Sequence, residues 1–295
     1  MISNKNFIRI AHISDLHFSK ITYHPSQFLT KRWVGNVNLL LFRRDMTSKE
    51  HLWQLPDFLE KEKVDLVLVS GDLSCTSMTE EFQMAADFLS TLKEKNIPYL
   101  VIPGNHDHYI KEAYQAKLFY HFFQNPASTV HKDLTLKDNR LEVQKINEKW
   151  WAIVFDTALP TSFLSSQGLF PEDLENTLIE VLKTVPEDVS LMLVNHYPFF
   201  QNDIPKNRLV RGRKLKKILE KHPNIKLYLH GHTHRETIAD LRPSSLPIIL
   251  DSGCTGDRKR GSFHIMDLKN DELELSVYKW KNSWDLSEKQ SFSIT

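Results

Sequence analysis

The stretch Ile97-Pro98-Tyr99-Leu100-Val101-Ile102-Pro103-Gly104-Asn105-His106-Asp107 decides how this chain is read. Its apolar first half fits a buried strand, and Gly104 marks a tight turn. Three side chains able to bind a metal or move a proton then follow in a row. Asn, His and Asp are also ordinary turn residues, so their weight depends on whether other strands end the same way. They do. Residues 7–13 read as a strand ending in Ser14-Asp15-Leu16-His17, and residues 64–69 as a strand running into Ser70-Gly71-Asp72. Residues two apart on an extended chain share a side, which would aim Asp15 and His17 at one point.

Between these strands, residues 48–61 carry Leu52, Leu55, Phe58 and Leu59 at helical spacing, with a break or kink expected at Pro56. A second helix is expected from Thr79, read as its cap, with Phe82, Ala85, Ala86, Leu89 and Leu92 inward. A β-α-β-α-β series favours one sheet with helices over its faces. Ligands of such sheets collect beyond the carboxyl ends of the strands, where Asp15, His17, Asp72, Asn105 and His106 all fall.

The second half continues the pattern. Residues 109–123 are expected as a helix, and 141–146 and 150–155 as strands leading to Asp156-Thr157. Pro171 opens a helix with Leu174, Leu178, Val181 and Leu182 inward. Residues 189–194 deliver Asn195-His196, residues 212–222 form a basic amphipathic helix, and 225–229 deliver His230-Gly231-His232-Thr233-His234. A hairpin is expected at about 262–280, around Lys269-Asn270-Asp271. With no repeat, low-complexity tract or clear linker, residues 1–295 read as one two-layered or sandwich-like α/β domain.

Composition excludes little but is consistent with this. The 295 residues are 41% hydrophobic and 25% charged, with a net charge of +1, an ordinary globular profile. Near-neutrality offers no phosphate-tracking surface, so nucleic acid is not the expected partner. Two distant cysteines, Cys75 and Cys254, give no disulfide framework. The polar residues 1–6 lack the apolar core of a signal peptide, and no apolar run is long enough to span a bilayer, so the expected location is cytoplasmic.

Each strand end has an ordinary reading as loop polarity, but five such accidents at one end of a sheet are hard to assemble. In order, Asp15-x-His17, Gly71-Asp72, Gly104-Asn105-His106-Asp107, His196 and Gly231-His232-x-His234 resemble the motifs of the calcineurin-like metallophosphoesterases, over residues 7–256. That resemblance implies a four-layer α/β/β/α sandwich with a dinuclear metal site at the strand ends. It implies one ion on Asp15, His17 and His234, a second on Asn105, His196 and His232, and Asp72 between them. His106 would face the substrate as proton donor, with Asp107 orienting it. Mixed oxygen and imidazole ligands suit two divalent ions, manganese first and iron or zinc as options. Such a pair can share a hydroxide nucleophile and clamp the oxygens of a phosphoryl centre. Arg208, Arg211 and Arg213 follow the His196 loop and are candidate phosphate contacts, or else solvated residues at a helix start. His12, His108 and His230 are expected to be structural.

Residues 23–47 stand apart. Leu29, Trp33, Val37, Leu40 and Leu41 can share a helical stripe, flanked by Lys31/Arg32 and Arg43/Arg44. Residues 28–44 could therefore lie on an anionic membrane, or pack on the sheet. The insertion resembles one in bacterial family members that act on lipids, such as the UDP-2,3-diacylglucosamine pyrophosphatase of lipid A synthesis. The first substrate expectation is accordingly a nucleotide-linked lipid pyrophosphate cleaved at the membrane surface. A cyclic nucleotide or other phosphorylated small molecule is the alternative, since Gly-Asn-His-Asp also resembles cyclic-nucleotide phosphodiesterases. A metal-binding scaffold without catalysis is the alternative of another class.

Overall fold

The computed structural model describes residues 7–20, 49–162, 165–200, 204–269 and 271–294. The insertion at 23–47, and with it the membrane stripe at 28–44, lies outside these residues.

Two six-stranded sheets carry the described chain. In the first, parallel strands β1 (Phe7–Ile13), β2 (Leu66–Val69) and β3 (Tyr99–Val101) lie side by side. The second is built on parallel β5 (Trp150–Phe155), β7 (Ser190–Val194) and β9 (Ile225–His230), with β4 (Leu141–Lys145) antiparallel at one edge. A two-stranded ladder joins β6 (Gly168–Leu169) to β8 (Leu209–Val210). At its other edge the second sheet adds β10 (Thr237–Asp240) and β11 (Ile248–Asp251), β11 running parallel to β9. The first sheet is completed by β12 (Ser262–Lys269), antiparallel to β1, then β13 (Glu272–Trp280) and β14 (Trp284–Ser293). The expected hairpin therefore extends into a three-stranded meander.

Side-chain alternation shows why the layers stack as they do. Along β5, Trp150, Ala152 and Val154 join the core shared with the first sheet. Trp151, Ile153 and Phe155 join a second core with Leu174, Leu178, Leu215 and Ile218. These last four belong to helices α7 (Glu172–Thr184) and α8 (Gly212–Leu219), which cover the outer face of the second sheet. The outer face of the first sheet is covered by α1 (Glu50–Trp53), α2 (Leu55–Lys61) and α3 (Thr79–Glu94), through Leu52, Leu55, Leu59, Phe82, Phe88 and Leu92. Helix, sheet, sheet and helix thus form four layers. The inner parallel strands are mostly apolar because both of their faces are covered.

Three local expectations shift. The helix at 48–61 breaks at Gln54, and Pro56 sits in the first turn of α2, where a missing N–H costs nothing. Thr79 is the first helical residue rather than the cap, and the Met78 N–H is taken by the Glu81 carboxylate. The segment 109–123 forms two short helices, α4 (Lys111–Gln115) and α5 (Leu118–Phe122), with Lys117 between them in the left-handed region at φ 50°. Helix α6 (Leu136–Asn139) leads into β4.

Candidate metal centre

The strand ends are built from strained backbone. Asp15, His17, Asp72, His232 and His234 have φ of 56°, 50°, 54°, 71° and 56°. Non-glycine residues in this region cost about 1–2 kcal/mol each and persist only where the surroundings force them. Here the forcing comes from neighbouring loops. Asp15 N–H donates to the Gly71 carbonyl at 3.0 Å, and His17 N–H to that of Asp72 at 2.9 Å. Asp15 and His17 do converge, but through left-handed turns hooked onto the β2 loop rather than through extended alternation. Close approach also requires Gly104, where a Cβ would lie 2.2 Å from Asp72 Oδ1.

Seven side chains from both sheets meet here. His17 Nε2 lies 3.0 Å from His234 Nε2, 3.6 Å from Asp15 Oδ1 and 3.9 Å from Asp72 Oδ2. His234 Nε2 is 3.0 Å from Asp15 Oδ1. On the other side of Asp72, His196 Nε2 is 3.5 Å from Asp72 Oδ2 and 3.2 Å from Asn105 Oδ1, while His232 Nδ1 is 2.9 Å from Asn105 Oδ1. The second nitrogens of two rings are held by backbone carbonyls. His196 Nδ1 lies 2.8 Å from the Ser70 oxygen and His232 Nε2 2.9 Å from that of Asn207. Such bonds fix which nitrogen faces the cluster, as they do for histidines that bind metals.

This arrangement fits divalent cations. The Asp15 Oδ1 atom is buried and receives no well-aligned hydrogen bond, although His234 Nε2 stands 3.0 Å away. Two imidazole nitrogens face each other at hydrogen-bond distance, and the ligand atoms of Asp15, His17, Asp72 and His234 all lie within 4.8 Å of one another. Acceptor lone pairs gathered without enough donors are what a cation relieves. In the protein alone, protons do part of that work. Burial is the largest influence on the Asp72 carboxylate and disfavours its charge, but His196, His106 and His17 together hold it well below the usual range. Burial likewise opposes the His196 imidazolium, yet Asp72 and Asp15 push its pKa up to about 9. His232 goes down to about 3 through burial and the charge of His196. A cation seated there would compete with that proton.

His106 lies at the mouth, its ring 4.9 Å from that of His17 and stacked on Tyr109 at 5.5 Å. Its orienting partner differs from the expected one. His106 Nδ1 lies 2.6 Å from the Cys75 carbonyl oxygen. The Asp107 carboxylate instead accepts the N–H groups of Leu73 (3.1 Å), Ser74 (2.8 Å) and Gly104 (2.9 Å), together with the Ser74 hydroxyl (2.9 Å). Asp107 thus pins the β2 and β3 loops together. It acts on His106 only through that backbone, and sequence spacing could not show the link between the loops because Leu73 and Ser74 lie 34 and 33 residues away. Ser74, Cys75 and Ser77, which contact His106 directly, were also missed, and their residue types carry no signal of the role.

The arginines separate. Arg211 donates from Nε to the Phe170 carbonyl at 3.0 Å and pairs with Glu175, tying β8 to α7. Arg208 is exposed beside a cleft of about 710 Å³ that Phe200, Arg213 and Lys217 also line. It follows Asn207, whose carbonyl meets His232. Of the neighbouring histidines, His108 bonds Asp156 at 3.2 Å, His12 bonds Ser70 Oγ at 2.9 Å, and His230 faces Asp251 at 3.3 Å, all buried.

Comparison with known proteins agrees with this geometry. Residues 8–236 match the calcineurin-like phosphoesterase family. The chain is 26% identical over 181 residues to a 3′,5′-cyclic-nucleotide phosphodiesterase of Nostoc sp., covering 60% of this chain and 58% of that one. It is 25% identical over 178 residues to a probable glycerophosphodiester phosphodiesterase of Arcobacter nitrofigilis, covering 59% of this chain and 58% of the relative. It therefore spans under two thirds of the length of both. A dimetal phosphatase from Danio rerio has the same fold, with a TM-score of 0.64 over 98% of this chain and 99% of the other at 14% identity. With the family matched over most of its length and the ligand types gathered at its strand ends, this chain is a metallophosphoesterase of the calcineurin-like family.

Proposed function

We propose that the chain hydrolyses a small phosphodiester with two divalent ions. Asp15, His17 and His234 would hold one ion, Asn105, His196 and His232 the other, and Asp72 both. The observation that carries this is the meeting of those seven side chains, with Asp15 Oδ1 left without a well-aligned donor. When bound, the ions would supply Lewis-acid polarisation of the phosphoryl oxygens and make water a nucleophile near neutral pH. The chain's own contribution centres on His106. With Nδ1 donating to the Cys75 carbonyl, Nε2 is the nitrogen that would give a proton to the leaving oxygen as the P–O bond breaks. The relatives named above favour a cyclic nucleotide or a glycerophosphodiester as the substrate class. Manganese is the first metal to try.

The lipid pyrophosphate expectation rests on residues 28–44, outside the described residues, and no described feature favours it. It serves as one arm of the test. Purified protein would be stripped with chelator, reloaded with manganese, iron or zinc, and assayed on cyclic AMP, a glycerophosphodiester, bis-p-nitrophenyl phosphate and UDP-2,3-diacylglucosamine. Turnover of the small diesters that disappears on chelation is expected. Turnover of the lipid substrate alone would replace the small-diester reading. Two metals bound without turnover of any substrate would favour the scaffold.

A further inference from the structure

We propose that Glu81 is a positioning residue for His106, acting through the arch formed by residues 74–78; this rests on the reading of His106 as the proton donor. The arch wraps the His106 residue on two sides. Ser77 Oγ donates to the His106 carbonyl at 2.8 Å and accepts the Tyr109 N–H at 2.7 Å, and Ser74 Oγ, whose one proton is shared with the Asp107 carboxylate, lies 3.1 Å from the same carbonyl. The Cys75 carbonyl meets His106 Nδ1 at 2.6 Å. That contact fixes the rotation of the ring, so the direction of the carbonyl sets the aim of the donor.

Glu81 fixes the direction. Its carboxylate collects the Thr76 N–H at 2.7 Å, the Met78 N–H at 3.2 Å, the Lys20 N–H at 3.3 Å and the Thr76 hydroxyl at 3.1 Å. A glutamate in the third position of a helix ordinarily reaches back to the cap residue from a solvated surface. Here the side chain is fully buried, and its shortest bond goes two residues beyond the cap to Thr76, the neighbour of Cys75. Ser77 sits in the left-handed region at φ 56°, so the arch has a sharp bend that needs holding from both ends. The Glu81 carboxylate holds one end, and Cys75 N–H, donating to the Phe18 carbonyl at 3.1 Å, the other.

Leaving-group chemistry separates positioning from mere stability. A nitrophenolate departs without a proton, whereas an alkoxide needs one, so loss of the donor falls on alkyl diesters. Glu81→Gln replaces one acceptor oxygen by an NH₂ group facing backbone N–H donors. It should lower kcat on a glycerophosphodiester at least about 10-fold more than on bis-p-nitrophenyl phosphate, with KM and bound manganese per chain retained. His106→Ala provides the reference and should show the same selectivity more strongly. Ser77→Ala, which frees the other side of the arch, should show it more weakly and serves if Glu81→Gln does not fold. Equal losses on both substrates, or no loss, in the folded Glu81 or Ser77 variant would overturn the inference while His106→Ala keeps its selectivity. If His106→Ala itself shows no selectivity, the proton-donor reading falls and this inference with it.

Discussion

Two buried clusters of aspartate and histidine lie near one another in this fold, and only one has the makings of a metal site. At the end of β5, Asp156 receives the Tyr120 hydroxyl at 2.7 Å, His108 Nε2 at 3.2 Å and the Ala158 N–H at 2.8 Å. That carboxylate is fully supplied with donors. At the other strand ends, Asp15 keeps a buried oxygen without a well-aligned donor and faces imidazoles that also face each other. The backbones differ in the same sense, because five of the seven converging residues are left-handed whereas Asp156 and His108 are not. Residue type alone therefore says little. What separates this site is a buried carboxylate that its surroundings leave unfinished, held in a conformation that the chain would not choose.

That contrast can be broken most directly at Asp72. Asp72→Asn keeps a residue that tolerates the left-handed backbone but removes the charge between the two sets of ligands. Turnover should fall about 10³-fold or more, roughly 4 kcal/mol of transition-state stabilisation. The rise in Tm that manganese gives the parent should vanish as well. An Asp72→Asn protein that binds two ions with parental activity would erase the distinction between the clusters. His106→Ala is expected to cost about 10²–10⁴-fold in kcat with both metals retained, measured by metal analysis beside kinetics. If it empties the site, His106 belongs with the ligands.

The closed cluster should answer in the opposite currency. Tyr120→Phe leaves Asp156 short of a donor and should cost about 1–3 kcal/mol in urea unfolding, while activity per folded molecule changes by less than about twofold. A large kinetic effect with unchanged stability would move that cluster into the active site. A third buried histidine sharpens the scale. His51 contacts the Thr255 carbonyl and two tryptophan rings, and burial followed by the charge of Lys49 lowers its pKa to about 4. The unfolded chain binds that proton near pH 6.5, so stability should decline as pH falls from about 6.5 toward about 4. A His51→Gln protein should show a shallower decline in the same window by denaturant titration, since this contribution is gone.

Much of this was legible in the letters because the inner strands are buried on both faces. The runs at 7–13 and 150–155 coincide with β1 and β5, and the motif residues follow from where those strands stop. The outer elements were harder. β14 is mostly exposed, and its sequence Trp-Asp-Leu-Ser-Glu-Lys-Gln-Ser-Phe-Ser lacks the apolar density that marks a strand. The helical period over 109–123 was real, but Lys117 turns left-handed inside it, a choice made by packing rather than by propensity. Asp107 was read as a partner of the adjacent ring because spacing is all a sequence offers. Apart from the Gly104 N–H, its donors come from the neighbouring strand's loop, and only the assembled sheet brings those near.

The pairing of β1 with β12 has a consequence for how the molecule is made. β1 is a central strand that delivers Asp15 and His17, yet the partner on one of its sides, β12, lies more than 240 residues later, with Ile8 opposite Leu268. During synthesis all seven converging residues leave the ribosome before that partner does. The half-built sheet then exposes an apolar edge able to pair with another chain. A truncation ending near residue 260 would keep the whole candidate site in its sequence and still be expected to aggregate. The last three strands carry no catalytic chemistry, but they decide whether a newborn chain becomes an enzyme or a precipitate.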